Sequence, residues 1–220
     1  MTYGLWKIVM EVGCGCALPC LSLLIAQSQI SDFSTASIVA SDRDEKALDN
    51  LQCSLTLNIE CESDDDGSIN IQMFDWMEES SFKVDLFKNV DVILISDLLY
   101  EAESSILLAR WIGLVWELRN QDRCRKKDET SGNQEDSKGK EEEHEKNELL
   151  TIYVVSPPNR RGYDSFTSEI DSLGFSCIHN DTCPSEFLEN PLENDPGNVG
   201  FDSLFFRFAT DVFKCLKYVK

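Results

Sequence analysis

The chain has 220 residues, of which 40 are acidic and 20 are basic, so its net charge at neutral pH is −20. This length corresponds to one domain, and a hydrophobic fraction of 42% with 10% aromatics excludes a wholly disordered acidic chain. Because so negative a chain repels phosphates and anionic lipids, we expect a basic protein partner and neither direct nucleic-acid binding nor membrane attachment. We also expect the protein to be a monomer.

Short apolar runs alternate with helical periodicity along most of the chain, which predicts a doubly wound α/β sheet with a ligand crevice at the carboxyl ends of its strands. The predicted strands are residues 7–12, 37–40, 69–74, 90–95 and 149–156, with a closing pair at 175–179 and 203–209. The predicted helices are residues 18–29, 44–58, 104–118 and 165–173.

Two segments interrupt this alternation. Residues 119–148 are nearly free of apolar side chains and mix acidic with basic runs, so they are predicted to be a disordered charged insertion. Residues 184–198 contain three of the six prolines and are predicted to form a long loop. We therefore expect a single domain over residues 1–220 that carries the charged insertion.

The nine cysteines are an odd number, include no C-x-x-C pair and are accompanied by only two histidines. This pattern argues against a disulfide framework or a metal site and favours a reducing compartment, the cytoplasm or the nucleus. We interpret Cys14, Cys16 and Cys20 as core or turn residues. The apolar run that contains them is interrupted by Pro19 and preceded by Glu11, which argues against a signal peptide.

The first predicted strand ends in a glycine-containing turn with Gly13 and Gly15. A dinucleotide fingerprint would need a third glycine where the chain has Leu18, and the Lys-Ser/Thr pair of a phosphate loop is also absent. Glu11 precedes the turn and could attract a cationic group such as the ammonium of an amino acid. The alternative is a strand-to-helix turn that simply requires small residues.

Polar residues also follow the next three predicted strands. Asp42 could accept both hydroxyls of a ribose, or could instead cap the next helix. Asp75 could accept an exocyclic amine and Trp76 could cover a purine, although a core tryptophan is equally compatible. After the fourth strand come Asp97 and Tyr100. Since four strand ends in succession carry such features, we expect them to share one crevice.

Together these motifs resemble the seven-stranded S-adenosylmethionine-dependent methyltransferases, and within them the methyltransferase-like protein-lysine methyltransferases of family 16. The E-x-G-x-G turn at 11–15 is shared across the superfamily, whereas the D-x-x-Y motif at 97–100 is more particular to this family. The resemblance covers about residues 7–209. It implies a Rossmann-like sandwich whose seven-stranded sheet is mostly parallel with an antiparallel closing strand.

The resemblance also implies a cofactor, S-adenosyl-L-methionine, and an acceptor, a lysine of a protein substrate. The methionine part of the cofactor would lie at the glycine turn, the ribose at the end of the second strand and the adenine after the third. The implied cofactor-binding set is Glu11, Gly13, Gly15, Asp42, Asp75, Trp76 and Ser96. The implied catalytic pair, facing the methyl group and the amine, is Asp97 and Tyr100.

Other acceptors are disfavoured by the same residues. Enzymes that methylate adenine or glutamine carry an Asn/Asp-Pro-Pro-aromatic turn where this chain has residues 97–100, and cytosine-5 enzymes need a cysteine there. A small-molecule acceptor stays open.

Relatives normally carry a Trp-containing segment before the first strand, where this chain has only residues 2–6 after Met1, so the sequence resembles an N-terminally shortened form. We therefore expect weak cofactor binding and poor transfer. The competing hypothesis is a non-catalytic interaction module that keeps the fold.

Overall fold

The computed structural model of the protein describes residues 8–29, 37–58, 69–131, 149–182 and 213–220. Within these ranges strands and helices alternate as the sequence predicts. The strands are β1 (Ile8–Val12), β2 (Ser37–Asp42), β3 (Ile69–Met73), β4 (Val92–Ser96), β5 (Thr151–Ser156), β6 (Ser176–Thr182) and β7 (Lys214–Val219). The helices are α1 (Leu18–Gln29), α2 (Glu45–Asn58), α3 (Val84–Phe87), α4 (Ala102–Ser131) and α5 (Tyr163–Ser172).

The strands form one seven-stranded sheet in the order β3-β2-β1-β4-β5-β7-β6. Strands β1 to β5 run parallel, and β7 is antiparallel to both β5 and β6. The prediction of a mostly parallel Rossmann-like sheet with an antiparallel closing strand is confirmed. The strand order reverses between β1 and β4, and in open α/β sheets a ligand crevice opens at such a point, outside the carboxyl ends of the strands.

The core lies on both faces of the central strands, which are apolar because helices cover both faces. On one face, Met10 and Ile93 pack with Trp111 and Ile112 of α4. On the other face, a smaller cluster joins α1 and α2 to β2. None of the helices within the described ranges is long and apolar enough to cross a membrane.

An aromatic cluster supports the segment that follows β3. Phe74 packs against Phe82, Phe87 and Trp111 with ring centroids 5.0 to 6.4 Å apart, mostly in edge-to-face orientations. Short helix α3 was not predicted from the sequence, since four residues carry too little periodicity to be recognised. The cluster holds the chain in place just before Trp76, a residue of the candidate site described below.

The predicted disordered insertion at 119–148 is wrong over its first part. Helix α4 continues to Ser131, and Arg119 is only 3% exposed. An Nη2 of Arg119 lies 2.7 Å from a carboxylate oxygen of Asp91, which precedes β4. A lack of apolar residues suggested disorder, but Arg119 anchors the helix through a buried ion pair. Residues 132–148 lie outside the described residues.

The closing strand also differs from the prediction. The structure places it at β7, Lys214–Val219, which pairs with all of β5. The strand predicted at 203–209 and the loop predicted at 184–198 both lie outside the described residues.

Candidate functional site

A cleft of about 570 Å³ opens at the carboxyl ends of β1, β2, β3 and β4. Its volume is in the range of pockets that hold cofactor-sized molecules. The residues that line it are Gly13, Asp42, Arg43, Trp76, Met77, Leu98, Tyr100, Glu101, Ala102, Glu103 and Ser104. Four of the residues predicted from the strand ends, namely Gly13, Asp42, Trp76 and Tyr100, are therefore brought together in one cleft.

The turn after β1 has a left-handed backbone at three positions. Gly13 has φ +62°, Gly15 has φ +49° and Ala17 has φ +51°. Glu11 lies beneath this turn rather than in the cleft lining, with 1% of its surface exposed. Its carboxylate accepts a hydrogen bond of 3.0 Å from the backbone N–H of Cys20, in the first turn of α1. Burial raises the pKa of the Glu11 carboxyl. In this structure Glu11 therefore supports the turn from below.

Gly13 and Gly15 differ in what a side chain would meet. A Cβ on Gly13 would lie 2.5 Å from Cδ2 of Leu98, whereas a Cβ on Gly15 would have no atom within 4 Å. Glycine is required at Gly13 for close packing against the segment after β4, and at Gly15 only for its backbone conformation.

This difference makes a matched pair of substitutions. Gly13→Ala and Gly15→Ala each incur about 1–2 kcal/mol for a left-handed alanine, but only the Cβ of Gly13→Ala also overlaps the side chain of Leu98, which must then shift. We expect both variants to lose stability in urea unfolding and Gly13→Ala to lose more. Equal effects of the two substitutions would contradict this role of the Gly13–Leu98 contact.

Asp42 ends β2 and joins two turns at the cleft. One carboxylate oxygen accepts the N–H of Gly15 at 2.9 Å, and the other accepts the N–H of Asp44 at 2.9 Å. The cap of helix α2 is Asp44, whose own carboxylate accepts the N–H of Lys46 at 3.0 Å. Because each carboxylate oxygen offers two lone pairs, Asp42 keeps acceptor capacity toward the cleft.

The segment after β3 contributes a tryptophan more directly than an acid. Trp76 lines the cleft, packs against the core and donates from Nε1 to the backbone oxygen of Ser104 at 3.0 Å. Asp75 is not in the lining; its carboxylate accepts the N–H of Met77 at 2.9 Å and holds a local turn. Trp76 therefore connects the end of β3 to the start of α4 across the cleft.

The residues of the D-x-x-Y segment after β4 have different surroundings: Tyr100 lines the cleft, whereas Asp97 pairs with Arg160. Ser96 is the exposed last residue of β4 and, like Asp97, is outside the cleft lining. Tyr100 lines the cleft and is 51% exposed. The carboxylate of Asp97 accepts two hydrogen bonds from Arg160, from Nε at 2.8 Å and from Nη2 at 2.5 Å. The same guanidinium lies 4.8 Å from the centre of the Tyr100 ring.

Sequence reasoning missed Arg160. The predicted site included only the ends of the first four strands. However, β5 pairs in parallel with β4, so the ends of these two strands lie side by side. The available signal was the pair of arginines in the segment P-P-N-R-R-G at 157–162, which directly follows the apolar run of β5.

Two cysteines near the turn, Cys14 and Cys20, are unsuited to bind a metal or to act as nucleophiles. Burial raises the pKa of the Cys14 thiol to about 12, and it raises the pKa of the Cys20 thiol as well. Both side chains are buried in the α1 and α2 cluster, which confirms their interpretation as core residues. In the part of the chain that the structure describes, no cluster of three His, Cys, Asp or Glu side chains could hold a metal ion.

Comparison with solved structures shows the fold at low sequence identity. Magnesium protoporphyrin IX methyltransferase from Synechocystis PCC 6803, solved with bound S-adenosylhomocysteine, aligns with a TM-score of 0.52 and 12% identity over 97% of this chain and 74% of its own. A SAM-dependent methyltransferase from Methanosarcina mazei aligns with a TM-score of 0.55 and 10% identity over 100% of this chain and 94% of its own.

The same fold also occurs in an enzyme of different chemistry. The [4+2]-cyclase SpnF aligns with a TM-score of 0.53 and 13% identity over 97% of this chain and 75% of its own. The fold alone therefore leaves the reaction undetermined.

Comparison by sequence is more specific. No curated protein sequence matches the chain. A family model described as lysine methyltransferase matches residues 5–131, which include the glycine turn, Asp42, Trp76 and the D-x-x-Y segment. Because this match spans more than half of the chain, the chain belongs to the lysine methyltransferase family.

Proposed function

We propose that this S-adenosylmethionine-dependent methyltransferase transfers a methyl group to a lysine side chain of a protein substrate. The observation that carries the proposal is that Tyr100, the last residue of the D-x-x-Y segment, lines the same cleft as Gly13 and Asp42. The acceptor side and the cofactor side of the site thus meet in one space. The family match supports a lysine as the acceptor.

The cleft residues fit S-adenosylmethionine. Asp42 has acceptor capacity for the two ribose hydroxyls, and the ring of Trp76 offers an apolar face for adenine. The backbone beside Gly15 is open because nothing lies within 4 Å of its missing Cβ, which leaves room for the amino-acid part of the cofactor. When bound, S-adenosylmethionine supplies a methyl group carried on a positively charged sulfur.

Transfer requires an uncharged amine and a site that excludes water. The nitrogen–carbon bond forms as the carbon–sulfur bond breaks, the electron pair of that bond stays on sulfur, and one proton leaves the nitrogen to solvent. Leu98 and the rings of Trp76 and Tyr100 give the cleft an apolar lining, from which a bound cofactor and amine would displace water. Burial, and secondarily the charge of Asp97, raise the pKa of the Tyr100 phenol. The phenol thus keeps its proton near neutral pH, and its oxygen can accept an N–H of the amine.

The charge around the cleft supports a basic protein segment as substrate. Glu101 and Glu103 line the cleft next to Tyr100, within a chain whose net charge is −20. Such a surface attracts a cationic partner and speeds its encounter, particularly at low salt. A cytoplasmic or nuclear location is part of the proposal, and it is supported by the free thiols of Cys14, Cys16 and Cys20.

The direct test of the proposed function is transfer of a radiolabelled methyl group from S-adenosylmethionine to proteins of a cell lysate, followed by amino-acid analysis. We expect the label in methylated lysine. Label confined to small molecules or to other amino acids would contradict a protein-lysine acceptor. Binding of S-adenosylhomocysteine without any transfer would instead support the interaction-module hypothesis.

Tyr100→Phe tests the role assigned to the phenol. The variant removes one oxygen at the edge of the cleft and keeps the ring, so we expect turnover to fall about tenfold while the affinity for S-adenosylhomocysteine stays within about twofold. Initial rates and calorimetric titration measure the two quantities separately. An equal loss of turnover and of cofactor affinity would show that Tyr100 supports the architecture of the site rather than the acceptor.

A further inference from the structure

Arg160 makes two contacts that join the members of the D-x-x-Y segment. Its Nε and Nη2 both donate to the carboxylate of Asp97, which is the paired geometry that a guanidinium and a carboxylate favour. The Cζ of the same guanidinium lies over the ring of Tyr100, 4.8 Å from its centre. A lysine at this position would reproduce neither contact fully, because an ammonium group lacks the planar arrangement of donors.

The loop that carries Arg160 is fixed against the start of α4. The backbone N–H of Gly162 donates to the carbonyl of Leu99 at 3.0 Å. A Cβ on Gly162 would overlap the side chain of Ser105 and lie 2.7 Å from the carbonyl oxygen of Glu101. Because a glycine is required for this close packing, the position of Arg160 is determined by the fold rather than by its own side chain alone.

The position of Asp97 indicates how Arg160 acts. Asp97 is outside the cleft lining, whereas Tyr100 is part of it, and Arg160 contacts both. An unpaired carboxylate beside the acceptor would stabilise the ammonium form of the lysine and so reduce the fraction that can react. The ion pair with Arg160 cancels that charge.

Other charged groups line the cleft, or pair with a residue that does, and set the background for this effect. They come from the end of β2, from the start of α4 and from the loop after β5. These groups are Asp42, Arg43, Glu101, Glu103 and Arg161. None of them changes when Arg160 is substituted, so a change in pH dependence can be assigned to the Asp97–Arg160 pair.

We propose that Arg160 is a positioning residue for methyl transfer: it orients the ring of Tyr100 at the cleft and neutralises Asp97 beside the incoming amine. This inference rests on the proposed function for its kinetic test. Its structural part, the coupling of Arg160 to the Tyr100 phenol, can be tested on the protein without any methyl transfer.

The kinetic test compares Arg160→Ala and Arg160→Lys with the wild type. We expect Arg160→Ala to lower kcat roughly tenfold or more, because the ring of Tyr100 is released, and to move the rising limb of the kcat/KM pH profile to higher pH. Arg160→Lys keeps the charge, so its pH profile should match the wild type while kcat stays reduced. The matched control is Arg110→Ala, which removes the exposed 2.7 Å ion pair with Glu169 on α4 and α5.

Unchanged kcat and pH profile in Arg160→Ala would overturn the proposal. Increased activity would also overturn it, since that result would mean that the guanidinium occupies the acceptor position and blocks it. A fall in kcat with an unshifted profile would reject the charge-cancelling role.

The phenolate absorbance titration keeps the two hypotheses separate. Arg160 opposes the rise in the pKa of Tyr100, so Arg160→Ala should raise the pKa further. The Tyr100 signal is obtained by subtracting the titration curve of a variant with Tyr100→Phe. This subtraction is made once for the wild type and once for Arg160→Ala, and the two resulting pKa values are compared. No change in that pKa would overturn the proposal even if the wild type transfers methyl groups to lysine. The expected change in a protein without such transfer would leave the contact intact and reject the proposed function alone.

Discussion

Arg119→Ala is expected to lower the free energy of unfolding by about 3–5 kcal/mol, the cost of leaving a buried charge without its partner. Arg119 and Asp91 are 3% and 7% exposed and lie 2.7 Å apart. The other carboxylate oxygen of Asp91 accepts the backbone N–H of Ile8 at 3.0 Å. Loss of Arg119 therefore disturbs the contact of α4 with the beginnings of both β1 and β4. Urea unfolding followed by circular dichroism measures the change.

Two further variants serve as controls for Arg119→Ala. One removes an exposed ion pair, and the other replaces the charged segment that follows α4. Arg110→Ala removes an ion pair of the same length, but Arg110 is largely exposed, so we expect a loss of at most about 1 kcal/mol. Replacing residues 132–148 with a Gly-Ser linker retains Arg119 and should shift the melting temperature by only a few degrees, since the sequence of this segment contains no large apolar side chain to bury. If Arg119→Ala is no more destabilising than Arg110→Ala, the buried pair contributes little to the fold.

The strands were predictable because burial on both faces gives them short, continuous apolar runs, as in Val92–Ser96. The end of α4 was not, because its charged part has no apolar stripe and its anchor is one polar contact with Asp91, 28 residues earlier in sequence. Such a pairing leaves no local pattern. Composition detects which segments can form a core, whereas it does not detect a helix held by a distant ion pair.

For the candidate site, the sequence predicted which residues meet but not the direction of every side chain. Asp42, Trp76 and Tyr100 share the cleft because the ends of parallel strands converge at one edge of the sheet. The direction of the Asp97 side chain could not be predicted, since its φ of +50° departs from the extended backbone of β4. Its partner, Arg160, comes from a loop 63 residues later. Strand ends thus predict which residues meet, and the backbone conformation decides which of them face the ligand.

Asp42→Ala is expected to weaken binding of S-adenosylhomocysteine by roughly ten- to a hundredfold, which corresponds to about 1.5–3 kcal/mol. The variant removes both acceptors offered to the ribose. It also releases the N–H of Gly15, which lies 2.9 Å from the carboxylate, so the glycine turn loses its connection to β2. Both effects reduce affinity, and isothermal titration of the purified chain measures their sum.

The neighbouring Asp44→Ala separates ligand binding from helix capping. Asp44 caps α2 through the N–H of Lys46 and is outside the cleft lining, so its loss should cost about 1 kcal/mol of stability and leave affinity unchanged. Asp42→Ala should show the opposite pattern, with a large change in affinity and a smaller change in unfolding. If Asp42→Ala binds as tightly as the wild type and only loses stability, then Asp42 holds the two turns together and does not contact the ribose.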